Sequence, residues 1–375
     1  MFNKPFRLGI LGGGQLGAML IRHAIDFGLE VRVMDGDASA PCARYTNSFV
    51  QGSLMDYDTV VQFARGLDAL TIEIESVNVD ALKAVRDAGL RVFPSPELIE
   101  TIQDKGTQKQ ALIDAGIPVA PGQFIGNRSE LKQHVSRLPA VFKLRRGGYD
   151  GKGVMMLHGE ADIETAFDGP CILEELVDIE QEIAVIVARN ENGEASIYDP
   201  VRMVFDEKLN LLDYQVCPAG LPAELERQAL NLARRVAEGL NLIGLLAIEM
   251  FVTRDGRILV NELAPRPHNS GHHTIEACGT SQYENLLRVL LGLPVGSPAT
   301  LQSSVMVNII EPQTESRDAM YSALQNSLDA EGLHLHWYGK GGGRPGRKMG
   351  HITVCADDVE TAQGRASHLR DLLKG

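Results

Sequence analysis

Two apolar segments that flank Asp255-Gly256 constrain the fold of this chain more than any other feature. They read "LLAIEMFV" before "TRDG" and "RILVNELA" after it. An Asp-Gly pair between such β-prone segments is a strong signal for a β-hairpin. A two-residue turn at Asp255-Gly256 sets a register in which Glu249 lies directly opposite Glu262. The sequence therefore predicts a hairpin with two carboxylates on one face.

This pair of carboxylates predicts a metal site. Two negative charges directly opposite each other repel and weaken a sheet. They become favourable when a hard cation binds between them, and Mg²⁺ is commonly held by one or two carboxylates plus substrate phosphates. We predict Glu249 and Glu262 as ligands of Mg²⁺, for which Mn²⁺ can substitute, with the amide oxygen of Asn261 nearby. The alternative is a solvated pair on an exposed face, which fits less well because the flanking residues are apolar.

The segment after the hairpin, "APRPHNSGHH", concentrates polar side chains between prolines and a glycine: Arg266, His268, Asn269, His272 and His273. Three histidines suggest zinc, but no cysteine is near and the spacing is not that of a pair on one helix face. We favour a loop that fixes one arginine and one histidine beside a metal-phosphate site. A purely structural role stays open for His272 and His273.

The stretch "FKLRRGGYDGKGV" (Phe142 to Val154) is rich in glycine and cations. Lys143 is predicted at the end of a strand, where its ammonium can reach phosphate oxygens. The loop from Arg146 to Gly153 adds Lys152 and backbone N–H groups, and its glycines allow phosphates to approach closely. We interpret it as a lid over a nucleotide rather than a flexible linker.

Two later segments add carboxylates to the predicted nucleotide site. In "CILEELV", Glu174 and Glu175 stand where a hinge could accept hydrogen bonds from an adenine and its ribose, and Glu182 lies one strand further on.

Near the N-terminus, Gly12-x-Gly14-x-x-Gly17 fits the dinucleotide-binding fingerprint, and Asp35 ends the next strand where a ribose-binding acid would sit. Taken alone, this pattern would indicate an oxidoreductase, but nothing downstream resembles a hydride-transfer site. The more general expectation is that a glycine turn at a helix N-terminus accepts an anion. Gln15 and Leu16 would then contact a substrate phosphate or its sugar.

The C-terminal stretch "YGKGGGRPGRKMGH" concentrates four cations, Lys340, Arg344, Arg347 and Lys348. Such a run is most often a solvated basic loop. Its glycines and proline, placed between two predicted strands, favour a shaped phosphate-binding turn instead.

Composition narrows the class of protein. The chain has 375 residues, 44% of them hydrophobic, which is enough for more than one domain. Its net charge of −13 argues against a nucleic-acid partner, and it has neither a membrane-length apolar run nor a signal-peptide pattern at its start. Its five widely spaced cysteines predict reduced thiols in a cytoplasmic protein.

The order of predicted elements indicates an α/β protein in three parts. Residues 1–95 alternate strands and helices, as in a parallel sheet covered by helices, and Ser95-Pro96 marks a helix start. Residues 96–300 are richer in strands and carry the hairpin. Residues 301–375 form a small α/β unit.

The motifs together resemble the ATP-grasp superfamily and, within it, the N5-carboxyaminoimidazole ribonucleotide synthetases of purine biosynthesis. The resemblance covers essentially the whole chain. It rests on "GILGGGQLGAML", "DKGTQKQ", "KLRRGGYDGKGV", "EEL", "AIEMF", "VNELAPRPHNSGHHT" and "HLHWYGKGGGRPGRKMGHIT".

The resemblance implies a three-domain ATP-grasp architecture: a Rossmann-like N-terminal parallel sheet, an ATP-grasp body with a mobile lid at about 120–180, and a small C-terminal α/β domain. It also implies a cytoplasmic, homodimeric ligase. This enzyme would use ATP and bicarbonate to form carboxyphosphate and would transfer the carboxyl group to the amine of 5-aminoimidazole ribonucleotide (AIR).

The resemblance assigns roles to residues by motif. The ATP contacts fall on Lys105, Lys143, Gly148, Tyr149, Asp150, Gly151, Lys152, Gly153, Val154, Glu174, Glu175, Leu176, Val177, Glu182, Asn261 and Glu262. The AIR and bicarbonate contacts fall on Gln15, Leu16, Glu75, Tyr149, Arg266, Asn269, Lys340, Arg347 and Lys348. The catalytic residues are Asp150, Arg266, His268 and Lys340, and the Mg²⁺ ligands are Glu249 and Glu262.

The chain departs from the family in two places. "DPVRMVFDEK" stands in place of a Glu-Asn-x-His pattern, so one expected nucleotide contact has no counterpart, and Glu75-Ser76 stands where relatives often have Glu-Asn, which weakens the assignment of Glu75 to the ribose. Three alternatives to the carboxylating ligase stay open. They are a formate-dependent glycinamide ribonucleotide transformylase of the same superfamily, a dinucleotide-binding oxidoreductase, and a non-catalytic ATP-binding regulator.

Overall fold

The computed structural model describes residues 4–148, 153–206, 211–312, 317–341 and 344–374. Its strands form three sheets.

The N-terminal sheet is parallel, as predicted. Its strands are β1 (Arg7–Leu11), β2 (Glu30–Asp35), β3 (Ser48–Gln51), β4 (Ala69–Ile72) and β5 (Arg91–Val92), in the order β3-β2-β1-β4-β5. The covering helices are α1 (Gln15–Asp26), α2 (Tyr57–Phe63) and α3 (Val79–Asp87). Strand β4 is shorter than the apolar pattern suggests, and its end leaves Glu73 and Glu75 at the carboxyl edge of the sheet, where parallel sheets bind ligands.

Two short helices lead into the middle of the chain, α4 (Pro96–Ile102) and α5 (Lys105–Asp114). The predicted start at Ser95-Pro96 is confirmed, because the Ser95 hydroxyl accepts a hydrogen bond from the Leu98 N–H. Asp104 caps α5 in the same way, accepting from the N–H groups of Gly106 and Thr107. These caps satisfy N–H groups that have no partner inside the helix.

A separate antiparallel sheet occupies the stretch predicted as the lid. Its elements are β6 (Gly122–Ile125), α6 (Arg128–Leu131), β7 (Ala140–Leu144), β8 (Val154–Leu157) and β9 (Cys171–Glu175), with strand order β6-β9-β7-β8. Leu131, Phe142 and Leu157 lie in a small apolar core of its own. This independent core is consistent with a unit that moves as a whole, and the movement itself stays a prediction.

The large sheet has nine strands and spans the rest of the chain. They are β10 (Ile179–Arg189), β11 (Ala195–Ile197), β12 (Val201–Asp206), β13 (Leu211–Cys217), β14 (Gly244–Thr253), β15 (Ile258–Ala264), β16 (Ser303–Ile310), β17 (Leu333–Trp337) and β18 (Lys348–Ala356). The strand order is β15-β14-β10-β12-β13-β16-β18-β17, and β11 pairs with β10. The C-terminal strands therefore continue the central sheet, and the predicted boundary at 300/301 separates β13 from β16, which pair with each other within that sheet.

Five helices accompany this sheet: α7 (Ala223–Gly239), α8 (Thr274–Ala277), α9 (Gln282–Leu290), α10 (Arg317–Ser327) and α11 (Val359–Lys374). Single 3₁₀ turns lie at Pro41–Arg44, Lys132–Arg137, Glu160–Thr165 and Asn269–Gly271. The predicted helix from Ala223 to Leu240 is confirmed to within one residue.

The hairpin of β14 and β15 forms, but its turn differs from the prediction. Thr253 and Arg257 close the hairpin through the Thr253 N–H and the Arg257 carbonyl, 2.9 Å apart, so the turn holds three residues rather than two. Gly256 has φ of +79°, a conformation that strongly favours glycine at the last position of such a turn.

A bulge corrects the register that the longer turn would otherwise shift. Near the turn, Met250 pairs with Val260, whereas beyond it Glu249 pairs with Glu262, so Asn261 is the extra residue on β15. The predicted pairing of Glu249 with Glu262 is therefore confirmed, although the two-residue turn from which we derived it is wrong.

The sequence also predicted reduced thiols and contains no apolar run of membrane length. All five cysteines are buried and unpaired. Across the described ranges, no helix combines the length and the apolar character that crossing a membrane requires.

The turn before β17 yields a stability prediction. Gly332 has φ of +72°, and a Cβ there would collide with the Cys355 carbonyl oxygen. Gly28 has a similar φ of +65°, but no atom lies within 4 Å of the position that a Cβ would take. We expect Gly332→Ala to lower the free energy of unfolding by roughly 1–3 kcal/mol more than Gly28→Ala, measured by denaturant unfolding. Equal losses would contradict the steric argument.

Candidate active site

A cleft lies between the lid sheet and the large sheet. It has a volume of about 360 Å³ and collects most of the residues predicted to bind ATP. The predicted residues that line it are Lys105, Lys143, Gly148, Val154, Glu174, Glu175, Leu176, Val177, Glu182, Asn261 and Glu262. Gly153 follows Gly148 in the same loop but is not part of the lining. Tyr149, Asp150, Gly151 and Lys152 lie outside the described residues, so their predicted roles stay predictions.

Carboxylates crowd one end of this cleft. Glu249 and Glu262 face each other across the hairpin, and Glu182 lies on the neighbouring strand. Burial, and then the charges of Glu262 and Glu182, raise the pKa of Glu249 to about 8, against the opposing effect of Lys105 and Lys348. Lys105 forms an ion pair with Glu262. Glu249 is thus a partly buried carboxyl group, and the nearby lysines do not offset the combined effect of burial and two negative neighbours.

The donor set at this end suits a hard cation. Within the described residues, no three His, Cys, Asp or Glu side chains are arranged to hold a metal ion by themselves. Two carboxylates supplemented by phosphate oxygens and water are, however, the usual environment of Mg²⁺. A cation between Glu249 and Glu262 would relieve the repulsion that raises the Glu249 pKa. The residues present therefore fit the predicted metal, with Lys105 sharing Glu262.

Lys143 is held by two partners at the centre of the cleft. Its Nζ lies 2.7 Å from Glu174 Oε2 and donates to Asn261 Oδ1 at 2.9 Å. An ammonium has three donor hydrogens, so these contacts leave one for a ligand. The bulge residue Asn261 thus orients the lysine that we predict to bind phosphate.

Glu174 has a different environment from the one predicted. Its second oxygen, Oε1, lies 2.6 Å from the Nζ of Lys109, which also donates to the Ala120 carbonyl at 2.5 Å. Although burial opposes ionisation, Lys143 and Lys109 lower the pKa of Glu174. The carboxylate is therefore held by two lysines, a role that the sequence did not predict, and its contact with an adenine or a ribose stays a prediction. Lys109 was missed because one buried lysine in "DKGTQKQ" gives no periodic signal.

Much of the cleft lining is apolar. Its walls are formed by Leu112, Val119, Ala120, Val141, Met156, Ile172, Ile179, Phe205, Phe251 and Val260. Phe205 belongs to "DPVRMVFDEK", the stretch that lacks the histidine of the family pattern, so an aromatic side chain from this stretch lines the cleft. A flat heteroaromatic group fits between such walls. The sequence could not identify these residues, because apolar strand residues look alike whether they line a cleft or a core.

The loop after β15 connects the cleft to the N-terminal sheet. His268 Nε2 lies 3.6 Å from Glu249 Oε1, at the carboxylate end of the cleft. Arg266 Nε lies 2.9 Å from Glu75 Oε1, beyond the end of β4. The predicted residues Glu75, Arg266, His268 and Glu249 thus form one continuous array.

His268 is a neutral imidazole in this site. Burial, together with the charges of Arg266 and Lys348, lowers its pKa to about 3. Its Nδ1 lies 2.8 Å from the Ser270 hydroxyl, which fixes the ring. Both amide atoms of Asn269 are buried and make no hydrogen bond within the described part of the chain. Because unsatisfied buried amides are rare, Asn269 is a strong candidate for a ligand contact.

The two following histidines have structural surroundings. His273 Nδ1 lies 3.1 Å from Gln215 Nε2, and His272 stacks on His351 with ring centroids 4.5 Å apart. Both rings are buried, and burial lowers the pKa of each, to about 4 for His273. The structural role left open for these two residues is therefore the one that their contacts support.

The glycine turn before α1 already holds anions, and they belong to the chain itself. The N–H groups of Gly14 and Gly17 donate to the carboxylate of Glu73, and Gly13 N–H donates to Asp35 Oδ2 at 2.7 Å. A Cβ at Gly14 would lie 2.5 Å from Glu73 Oε1. These three N–H groups, which a dinucleotide pyrophosphate would need, are therefore already used within the chain, whereas the anion contact expected at Gln15 and Leu16 stays a prediction.

The two predicted contacts at this turn differ in their environment. The side chain of Leu16 is buried in the apolar core, so a ligand contact at this position would use its backbone N–H at the helix N-terminus, and that role stays a prediction. Gln15 is half-buried at the first position of α1, at the carboxyl edge of the sheet. Its role as a substrate contact stays a prediction.

The C-terminal cations lie near β18, at the C-terminal end of the large sheet. Lys348 begins β18 and acts electrostatically on both Glu249 and His268. Lys340 Nζ donates to the Lys348 carbonyl at 2.9 Å. Hydrogen bonds from Ser39 and, to a smaller extent, the positive charge of Arg347 lower the pKa of Asp37 in the N-terminal part. The predicted cations therefore border both the cleft and the N-terminal sheet.

Three family models match consecutive parts of the chain. A ribonucleotide synthetase preATP-grasp domain matches residues 6–103, an ATP-grasp domain matches 110–283, and a phosphoribosylaminoimidazole carboxylase C-terminal domain matches 304–365. The N5-carboxyaminoimidazole ribonucleotide synthase of Bacillus subtilis (strain 168) is 39% identical over 352 residues, which are 92% of this chain and 90% of that protein. The chain belongs to the N5-carboxyaminoimidazole ribonucleotide synthase family.

Solved structures of this family have the same fold. The carboxyaminoimidazole ribonucleotide synthase of Aspergillus clavatus, complexed with ATP, superposes with a TM-score of 0.92 at 33% identity, covering 100% of this chain and 99% of that one. The N5-carboxyaminoimidazole synthase of the same organism, in complex with ADP and AIR, has a TM-score of 0.91 at 32% identity, with both chains fully covered. The predicted three-part ATP-grasp architecture is confirmed.

The raised pKa of Glu249 predicts a pH-dependent stability. Between the ordinary pKa of 4.5 and the raised value of about 8, the folded protein holds a proton that the unfolded chain has lost. Stability due to Glu249 therefore falls as pH rises through this window. Without nucleotide or divalent metal, Glu249→Gln should gain at least about 1.4 kcal/mol relative to wild type between pH 5 and pH 8, the equivalent of one pKa unit.

Urea unfolding at a series of pH values measures this difference. The exposed Glu180 of β10 offers a matched control, because Glu180→Gln removes a carboxylate from the same sheet away from the pair. A Glu249→Gln difference that does not change with pH would contradict the burial and repulsion argument.

Proposed function

We propose that this protein is an ATP-dependent carbon–nitrogen ligase that carboxylates AIR with bicarbonate to give N5-carboxyaminoimidazole ribonucleotide, ADP and phosphate, in purine biosynthesis. Bicarbonate would attack the γ-phosphate of ATP to form carboxyphosphate. The exocyclic amine of AIR would then attack the carboxyl carbon, and phosphate would leave. The family relationship and the two complexes of relatives, one with ATP and one with ADP and AIR, support this proposal.

One observation in the structure carries the proposal: the contact of His268 with Glu249. It joins the end of the cleft, where the metal and the γ-phosphate would lie, to the Arg266–Glu75 pair at the N-terminal sheet. Carboxyphosphate formed beside Glu249 would therefore lie next to Arg266 and Glu75, which are predicted to bind AIR. A short distance between the two sites suits a labile intermediate, because it limits hydrolysis before the carboxyl group is transferred.

The cleft residues support phosphoryl transfer. The ammonium of Lys143 is fixed by Glu174 and Asn261. Lys105 forms an ion pair with Glu262. Two positive charges are therefore held in place where the phosphates of ATP would bind. Fixed charges of this kind stabilise the transition state without reorganising during the reaction. When bound between Glu249 and Glu262, Mg²⁺ would neutralise charge on the phosphate oxygens.

The loop after β15 supports recognition of bicarbonate. Arg266 supplies a positive charge. The amide of Asn269, which makes no hydrogen bond to the described residues, supplies both a donor and an acceptor. His268 is neutral because its pKa is lowered, so it would position the anion by hydrogen bonding rather than by charge. Asp150, outside the described residues, stays our prediction for the group that accepts the proton of the amine.

The remaining elements of the proposal follow from the family. We expect a cytoplasmic homodimer, with AIR bound by Gln15, Glu75, Tyr149, Arg266, Asn269, Lys340, Arg347 and Lys348. The regulator alternative is disfavoured by the intact carboxylate pair, and the oxidoreductase alternative by the occupied glycine turn.

The identity of the one-carbon donor is tested directly. A site built to pair the extra oxygen of bicarbonate discriminates strongly against formate, which lacks it. We expect ADP formation with AIR to require bicarbonate and not to be restored by formate. NMR should show ¹³C from labelled bicarbonate on the exocyclic nitrogen of the product. Label entering only from formate, with glycinamide ribonucleotide as the acceptor, would replace our proposal with the transformylase.

The carboxylate pair yields a second prediction for this function. Glu262→Gln should lower kcat by about 10²–10³-fold, the usual effect of losing a transition-state charge partner. Glu249→Gln should lower it less and raise the Mg²⁺ concentration needed for half-maximal rate. Glu180→Gln is again the control, and ADP release at limiting Mg²⁺ is the measurement. Normal turnover by both pair variants would show that the metal lies elsewhere.

A further inference from the structure

A column of aromatic rings lies behind the C-terminal cations and plays no part in the function proposed above. His336 of β17 and His351 of β18 are a directly opposed pair, and their rings stack with centroids 4.4 Å apart. His272 also stacks on His351. The column therefore joins the C-terminal strands to the loop that carries Arg266 and His268.

The outer end of the column is anchored by contacts of His336 with two other side chains. His336 Nε2 lies 2.7 Å from Glu276 Oε1 on α8, and His336 Nδ1 lies 3.5 Å from Arg22 of α1. The contact with Glu276 is largely shielded from solvent. One imidazole thus connects β17, α8 and α1, which come from the C-terminal, middle and N-terminal parts of the chain.

Tyr338 is the residue through which this column reaches the site. Its hydroxyl lies 2.8 Å from His351 Nδ1 in the buried interior. His351 Nε2 is buried and makes no hydrogen bond within the described residues. Tyr338 is therefore the hydrogen-bonding partner that holds the His351 ring, and the stack in turn holds Tyr338.

The ring of Tyr338 carries Lys340. The Lys340 Nζ lies 5.3 Å from the ring centroid, within the range of a cation–π contact. The same ammonium donates to the Lys348 carbonyl. The Tyr338 ring and the Lys348 carbonyl therefore orient the side chain of Lys340. Lys340 belongs to the glycine-rich sequence "YGKGGGRPG", in which a side chain without such contacts could adopt many orientations.

We propose that Tyr338 is a positioning residue for Lys340, and that the His272–His351–His336 stack fixes Tyr338 so that Lys340 keeps one orientation toward the nucleotide substrate. The hydrogen bond between Tyr338 and His351 fixes the orientation of the Tyr338 ring, and the face of that ring fixes the position of the Lys340 ammonium. The part of this inference that concerns the substrate rests on the proposed function, whereas the orientation of Lys340 does not.

The experiment measures Lys340 directly, in the full-length protein without substrates. An amine-selective acylating reagent is applied, and the acylation rate at Lys340 is read by mass spectrometry and normalised to the exposed Lys132. The ring stabilises the ammonium form and shields it, so its removal should speed acylation. Tyr338→Leu should raise the rate about two- to fivefold, the factor that corresponds to a cation–π contact at a partly exposed site.

Two further variants separate positioning from simple packing. Tyr338→Phe keeps the ring and loses only the hydroxyl, so the rate at Lys340 should stay closer to wild type than in Tyr338→Leu. Tyr198 is another buried tyrosine, whose hydroxyl donates to the Thr280 carbonyl at 3.0 Å, far from this column in sequence. Tyr198→Phe should destabilise the protein about as much as Tyr338→Phe and leave Lys340 unchanged.

Kinetics then test the connection to the substrate. In Tyr338→Leu, KM for AIR should rise by about the same factor as the acylation rate, with KM for ATP unchanged. An unchanged acylation rate in Tyr338→Leu, or an equal rise in Tyr198→Phe, would overturn the positioning role. A faster acylation with unchanged KM for AIR would overturn the link to the substrate. An absence of any turnover with AIR in the wild type would overturn the proposed function instead, while the acylation result would still decide the orientation of Lys340.

Discussion

The repulsion between Glu249 and Glu262 is the constraint on which the rest of the site depends. A bulge at Asn261 brings these carboxylates into register after a three-residue turn has displaced the strands by one position. The same bulge residue accepts a hydrogen bond from Lys143, so one irregularity in β15 places both the acidic and the basic groups of the cleft. Bulges commonly re-aim side chains near active sites. Here the bulge also keeps an unfavourable pair together, which the fold tolerates because Lys105 pairs with Glu262 and because the raised pKa of Glu249 favours its neutral form.

A second carboxylate, Glu73, explains the glycines at the start of the chain. Glu73 accepts from the N–H groups of Gly14 and Gly17, and a side chain at Gly12 or Gly14 would collide with it. These glycines thus resemble a dinucleotide fingerprint because both arrangements bring an anion close to a helix N-terminus. The anion in this protein is internal. Burial raises the pKa of Glu73 against the effect of those hydrogen bonds, and the nearby Arg266 adds a favourable charge.

The sequence was informative wherever a local pattern determines local geometry. Alternating strands and helices predicted the parallel sheet, and Ser95-Pro96 predicted a helix start that the structure has. Most of the predicted ATP contacts that the structure describes do line one cleft. The failures have a common cause: Glu73, Lys109 and the apolar wall of the cleft act through partners that are distant in sequence. The core around the Leu16 side chain and the two lysines around Glu174 could not be predicted for the same reason, because neither leaves a trace in the neighbouring residues.

The continuity of the large sheet has a consequence for how the chain can be divided. Strand β13 pairs with β16 through Tyr214, Gln215, Val216 and Cys217, which are matched to four residues of the C-terminal segment. A chain shortened to its first 300 residues would leave β13 as an open edge, with a row of unpaired N–H and carbonyl groups beside apolar side chains. Such edges recruit strands from other molecules. The C-terminal segment therefore acts as the chain's own protection against edge-to-edge aggregation, in addition to carrying Tyr338 and Lys340.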